Sequence, residues 1–316
     1  MTDRHPSPPD RSLPRVSRTT LAILYSLFAL LLFDGMGLII KYLSGTYGAA
    51  ELSAYRNLVG LIPALLVLWT SRDWHAKGRS LRMRQWKLAL LRGLILTFAQ
   101  YFFYLSLGIL TFATASTISY SNAVFVTALA VPLLGEKVGL VRWAAVLVGF
   151  AGVVMIVGPG RDSFSLAALL PLGAALCYAL TAVTARMMDD GPPTALINLY
   201  STGVATLGAL ALTLATGGFT PMHDSTDLLW IVAMGGLGGF AVLVLVTAYR
   251  MTEQSNLAPF SYFGIPLAFV LGWLFYGEAP WAELFPGALL LAGGGLLIIW
   301  RERQMNAARR DVTTPK

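Results

Sequence analysis

The chain has 316 residues, of which 56% are hydrophobic and 12% charged, with a formal net charge of +7. Soluble domains carry about a quarter charged residues, so a wholly water-exposed globule is excluded and most of the surface must face lipid. The bases lie in short tails and loops beside apolar runs, which argues against a nucleic-acid partner, and a single cysteine, Cys177, excludes an internal disulfide or a cysteine-based metal cluster.

The first segment, 1–18, is basic and interrupted by Pro6, Pro8, Pro9 and Pro14, and reads as a disordered tail. The apolar run that follows from Leu21 continues past Phe33, longer than a signal-peptide core, with no small-x-small cleavage site after it. It therefore reads as a membrane span. Similar runs recur almost to Trp300, each near the roughly 20 residues that carry a helix across about 30 Å of hydrocarbon. They predict ten spans, at 21–40, 52–69, 86–107, 112–134, 141–157, 166–187, 194–216, 228–249, 257–276 and 284–300. Lipid cannot satisfy backbone polar groups and the runs lack barrel-strand alternation, so an all-α membrane fold is expected. The remainder, 303–316, reads as a second tail, disordered from Asn306 onward.

An even number of spans puts both termini on one side, and the bases say which side. One set of connecting segments holds Arg72, Lys77, Arg79, Arg82, Arg84, Lys87, Lys137, Arg142, Arg186 and Arg250 besides the bases of both tails, whereas the opposite set holds Lys41 and Arg161. Both termini are expected to be cytoplasmic.

The chain also repeats itself. Ser119-Tyr120-Ser121-Asn122 through Gly135-Glu136 can be laid on Ser261-Tyr262-Phe263-Gly264 through Gly277-Glu278 at constant spacing. In the same register Gly149-Phe150-Ala151-Gly152 falls on Leu291-Ala292-Gly293-Gly294. Each copy spans an odd number of helices, so the second must enter the membrane upside down. Two inverted five-helix repeats, 19–158 and 159–302, are expected around a central cavity, the architecture of alternating-access carriers.

The phrase Tyr120-Ser121-Asn122 to Leu134-Gly135-Glu136-Lys137-Val138, then Trp143-Ala144-Ala145-Val146-Leu147-Val148-Gly149, resembles the EamA-type transporters of the drug/metabolite transporter superfamily. Glu51-Leu52-Ser53-Ala54-Tyr55-Arg56 also matches that family's pattern of an acid followed by an arginine. The resemblance covers nearly the whole chain. It implies a ten-helix carrier of the bacterial inner membrane, without cofactor or metal, whose cavity is lined by both halves. Similar members move amino-acid derivatives, S-adenosylmethionine, riboflavin or opine-type metallophores. One departure stands out: Asn198 occupies the place where the repeat register puts Arg56.

Ionisable groups inside a span are costly and mark functional sites by default. Asp34 sits well inside the first span beside Gly35 and Gly37, and Arg56 enters the second from the same side by little more than a turn. At similar depth the two would form a gate or substrate anchor, or else a structural ion pair. Asp34 is the only carboxylate deep in a span, so a coupling proton, where one is used, would be carried there; a facilitator needing none stays open. Arg92 is expected to snorkel to the headgroups. Gln100, Tyr101, Tyr104, Tyr120, Asn122, Asn198 and Tyr262 offer hydrogen-bonding and stacking groups for a planar or zwitterionic ligand, or serve as interhelical glue. The repeat relates Tyr120 to Tyr262, which places both near the pseudo-symmetry axis. Pro259 and Pro266 break backbone bonding in the ninth span as a hinge or a static kink. The runs Gly235-Gly236-Leu237-Gly238-Gly239 and Gly293-Gly294-Gly295 read as close helix packing.

The expected partners are a small-molecule substrate and membrane lipid. The rival reading is an integral-membrane enzyme on a lipid-linked substrate, which would need clustered acids or histidines at an interface. Asp224, Asp227 and Glu283 are instead scattered, and His5, His75 and His223 lie far apart with no metal-ligand spacing.

Overall fold

The computed structural model describes residues 18–135, 139–157, 166–188, 193–222, 224–252, 257 and 260–313, and the regular structure among them is helical. The first half holds α1 (Arg18–Leu43), α2 (Ala49–Trp69), α3 (Arg72–Ala76), α4 (Trp86–Ile109), α5 (Phe112–Ser119), α6 (Asn122–Leu134) and α7 (Leu140–Val157). The second holds α8 (Leu169–Arg186), α9 (Thr194–Ala215), α10 (Ser225–Met251), α11 (Gly264–Tyr276), α12 (Trp281–Leu284) and α13 (Gly287–Thr313).

Among the described residues, seven helical paths are long and apolar enough to cross a membrane: α1, α2, α4, α5 with α6, α8 with its leading 3-10 turn, α9 and α10. Shorter apolar helices, Trp143–Val157, Gly264–Tyr276 and Gly287–Trp300, fall within the fifth, ninth and tenth expected spans. Large apolar side chains cover the outside, with Ile62, Leu207, Leu214, Leu229, Leu274 and Leu289 each more than 60% exposed. A skin this apolar suits hydrocarbon rather than water. The chain is a multi-pass α-helical membrane protein.

Two expectations are corrected. The run 112–134 is not one helix, because α5 stops at Ser119 and α6 starts at Asn122, with tightened bonds from the Ser121 N–H to the Ile118 carbonyl and from the Val124 N–H to the Ser121 carbonyl, both 3.0 Å. The second tail is also not disordered from Asn306, because α13 runs on to Thr313. Between Trp300 and Thr313 the chain has no glycine or proline and is rich in Arg, Gln and Ala, residues that prolong a helix.

The break in α5–α6 recurs in the second half. Tyr262 and Phe263 form a turn before α11, with 3.1 Å bonds from Phe263 N–H to the Phe260 carbonyl and from Ile265 N–H to the Tyr262 carbonyl. Both α6 and α11 then end on a left-handed glycine, Gly135 at φ 67° and Gly277 at φ 66°. Pro266 is the third residue of α11, where its missing N–H would have had no intrahelical partner, so it breaks no helix there. Pro259 lies outside the described residues.

Helix pairing carries the same symmetry. The most extensive contacts are α1 with α10, α4 with α8, α2 with α9, and α7 with α13. Exchanging the halves turns the first of these pairs into the second and maps the other two onto themselves. At α7–α13 the exchange is visible atom by atom. A Cβ on Gly152 would fall 2.6 Å from the Gly287 carbonyl oxygen and the Leu291 nitrogen; one on Gly294 would fall 2.8 Å from the Ala145 oxygen and 2.7 Å from the Gly149 nitrogen. The repeat register lays Gly152 on Gly294, Ala145 on Gly287 and Gly149 on Leu291, so these are one contact seen from either half. The order of contacts runs oppositely along the two helices, which therefore cross antiparallel about a two-fold axis.

Candidate functional site

α2 presents a polar run in an apolar helix: Ser53, Arg56 and Asn57. Asn57 is fully buried and faces Gln100 on α4. The two amides bond reciprocally, Asn57 Nδ2 to Gln100 Oε1 at 2.7 Å and Gln100 Nε2 to Asn57 Oδ1 at 3.2 Å, and Ser53 Oγ also donates to Gln100 Oε1 at 3.0 Å. Arg56 joins this relay by donating Nη1 to Asn57 Oδ1 at 3.1 Å. Tyr104 on α4 and Tyr178 on α8 lie close enough to interact electrostatically with the guanidinium. On the α10 side a Cβ at Gly238 would stand 3.1 Å from Nε and 3.3 Å from Nη2, so glycine lets the backbone pack directly on the charge.

Beyond Arg56 lies a small cleft, about 20 Å³ in volume and so room for about one water in this conformation, lined by Arg56, Gly60, Pro63 and Ala64 of α2, Asn198 and Thr202 of α9, and Gly239 and Val242 of α10. Gly60 and Gly239 sit near the midpoints of their helices, so the cleft lies at mid depth. The register that lays Arg56 on Asn198 also lays Gly60 on Thr202. Two pairs of repeat-equivalent residues thus line one space, and the cleft straddles the pseudo-two-fold axis between α2 and α9.

Asp34 does not pair with Arg56. Its residue is 7% exposed, its Oδ2 has no hydrogen-bond partner among the described residues, and it lies close enough to Tyr120 to interact electrostatically. Tyr120 in turn lies over Gly264, where any Cβ would overlap its hydroxyl. A charge at the centre of a span costs on the order of 3 kcal/mol on insertion scales, and Arg56 is held inside α2 against a penalty of this kind.

Other expected site residues stand elsewhere. Tyr262 packs in the apolar cluster of α7, α11 and α13, its unpartnered hydroxyl over Gly295. Tyr101 rests tilted against Phe102 at 6.0 Å between centroids, and Asn122 opens α6, half-buried. Neither is part of the cleft lining. Glu51, the acid of the Glu51-to-Arg56 pattern, ties α2 to the segment before α10 by accepting the Thr220 N–H and hydroxyl, each at 3.0 Å. Arg92 does not snorkel; it donates to the Thr181 carbonyl at 3.1 Å and to Ser201 Oγ at 2.6 Å, bracing α4 against α8 and α9. At the ends of α1 and α11, Lys41 pairs with Glu278 at 3.0 Å while Glu278 Oε2 accepts the Phe112 N–H at 2.7 Å, closing α5 against the second half.

Sequence reasoning passes over Ser53, Asn57 and Thr202. Thr202 had a signal, since the repeat register places it on Gly60 beside the Arg56–Asn198 pair. Among the described residues no cluster of His, Cys, Asp and Glu is arranged to hold a metal ion.

Two stretches, 20–158 and 165–300, match the EamA-like transporter family. The chain belongs to this family. Both EamA repeats thus coincide with the halves that the helix pairing exchanges. Similar curated proteins include a riboflavin transporter of Vibrio cholerae, 30% identical over 57% of this chain and 59% of that protein. An S-adenosylmethionine uptake transporter of Rickettsia felis is 24% identical over 86% of this chain and 90% of that protein. A pseudopaline exporter of Pseudomonas aeruginosa is 26% identical over 88% and 93%. The match spans little more than half the length of the riboflavin transporters, 59% and 55% of the two. A solved crystal structure shares the fold at TM-score 0.60 and 21% identity, covering 90% of this chain and 98% of that one.

Proposed function

We propose that the chain is a secondary carrier of a small organic metabolite in the bacterial inner membrane, with ten spans in two inverted halves and both termini cytoplasmic. The observation that carries this reading is the cleft at the axis, lined by Arg56 and Asn198 and by Gly60 and Thr202 from equivalent places in the two repeats. A site that both halves approach equivalently is one whose opening can pass from one face to the other when the halves exchange conformations. Arg56 and Asn198 bind the substrate, with Gln100 and Tyr104 holding Arg56 in place through Asn57 and through contact with its charge. Asp34, buried beside Tyr120 without an ion-pair partner among the described residues, carries a coupling proton. Tyr101, Asn122 and Tyr262 meet the substrate in a state of the cycle where helices have shifted toward them. Relatives carry names for both uptake and export, so the likeness fixes no direction.

The test is flux into proteoliposomes of riboflavin, S-adenosylmethionine and the amino acids. Saturable flux of one of them, cut at least tenfold by Asn198→Leu, is the expected result. Saturable flux untouched by both Asn198→Leu and Thr202→Leu would remove the cleft from the pathway. Asp34→Asn should make the surviving flux indifferent to a pH gradient, and an unchanged response would take the proton away from Asp34.

A further inference from the structure

We infer that the cleft receives the anionic end of its ligand, a carboxylate or phosphate docking on Arg56 from the α2 side while a neutral hydrogen-bonding end meets Asn198 and Thr202 on α9. This rests on the carrier reading above and names the substrate class of that same site.

The first ground is broken symmetry. The axis brings Arg56 and Asn198 to one space from equivalent positions, yet one is charged and the other neutral, as Gly60 is bare where Thr202 carries a hydroxyl. A ligand with two like ends would leave one side unsatisfied. The second ground is the state of the guanidinium. Among the described residues it donates to a neutral amide, that of Asn57, and its Nε has no hydrogen-bond partner. The acid that Lys41 pairs with, Glu278, lies elsewhere in the fold. The rest of the cleft lining is uncharged. A charge held at mid depth against backbone of Gly238, with no ion-pair partner among the described residues, is complementary to one brought by the ligand. Carboxylate and phosphate oxygens are strong acceptors for guanidinium N–H groups, and Nη1 is the nitrogen beside Gly60 of the cleft lining. The third ground is the lining. Gly60, Gly239 and Pro63 add no polar side chain beside the guanidinium, and since the cleft holds about 20 Å³ in this conformation, the anion enters in a more open state of the cycle.

The assignment divides the candidate cargoes by charge: S-adenosylmethionine and amino acids carry a carboxylate, riboflavin carries none, and its phosphorylated form carries a phosphate. The experiment needs no knowledge of the natural cargo. Thermal unfolding of the full chain in neutral detergent is followed against benzoate and against benzamide, which share a ring and differ in charge. Benzoate should stabilise the protein saturably at concentrations at least tenfold below benzamide, because a ligand that binds the folded state raises its apparent Tm. Arg56→Gln should abolish that preference and Arg56→Lys should keep part of it, both variants remaining monodisperse. Equal response of the wild type to benzoate and benzamide would overturn the inference even if Arg56→Gln fails to fold, and so would a preference that survives in Arg56→Gln. Added phosphatidylglycerol should leave the benzoate effect in place; its loss would assign the anion to a lipid headgroup and overturn the solute site. None of these readouts involves flux, so the carrier reading and the anion site can fail separately.

Discussion

Asn57 and Gln100 show how much of this protein turns on single polar atoms. Their reciprocal bonds, together with Ser53 and Arg56, fill the amide groups at a junction that lipid and water do not reach. Gln100→Leu would strand the Asn57 amide and remove the acceptor of Ser53. A stranded buried polar group costs about 1–3 kcal/mol, although interhelical bonds in membranes average nearer ~0.6 kcal/mol because the dissociated helices find other partners. We predict a lowered Tm in detergent for Gln100→Leu and a weaker ligand response, since Asn57 no longer holds Arg56 in place; an unchanged Tm would show that the relay bears no load. At this scale the sequence exposes residues whose polarity contradicts their span, which is why Asp34, Arg56, Gln100 and Asn198 are readable in advance. It does not reveal what each one touches. Arg92 looks like a headgroup seeker until Ser201 and the Thr181 carbonyl are seen beside it, and Tyr262 looks like a mate of Tyr120 until its hydroxyl is found over Gly295.

Among the elements, α7 and α13 make the closest approach, and glycine is what permits it. A side chain at Gly294 would have to displace backbone of Gly149 and Ala145, whereas a Cβ at the adjacent Gly293 meets nothing within 4 Å. Overpacking of this kind costs on the order of 1–3 kcal/mol. Gly294→Leu should therefore lower the Tm and the yield of folded protein while Gly293→Leu leaves both near wild type, and equal effects would contradict the crossing. Apolar length and periodicity locate the helices well but are blind to interruptions inside a run. The turn at Tyr120–Ser121 contains neither glycine nor proline, so nothing in 112–134 announces it; the equivalent turn in the second half precedes Gly264 and Pro266, which hint at it. The short α3 escapes hydropathy for the opposite reason: it is a single capped turn at Ser71 within a basic loop.

For the molecule as a whole, the repeat register read from a handful of residues carries through to the helix pairs, the glycine contacts and the cleft. Hydropathy and the Lys/Arg bias supply the number and direction of spans as expectations. The location of the site needed the fold, because the axis joins α2 and α9 across more than a hundred residues of chain.

The measurement that bears most directly on the central claim is accessibility of the cleft to a small membrane-impermeant thiol reagent. Single cysteines are placed at Met222, Ser80 and Thr202 in a chain lacking Cys177, then labelled in intact cells and in inside-out vesicles. The account predicts labelling of Met222→Cys from outside alone, of Ser80→Cys from inside alone, and of Thr202→Cys from both faces as the cleft opens to each in turn. Labelling of Met222→Cys and Ser80→Cys from the same face, or of Thr202→Cys from one face only, would contradict an axial site in an inverted-repeat carrier.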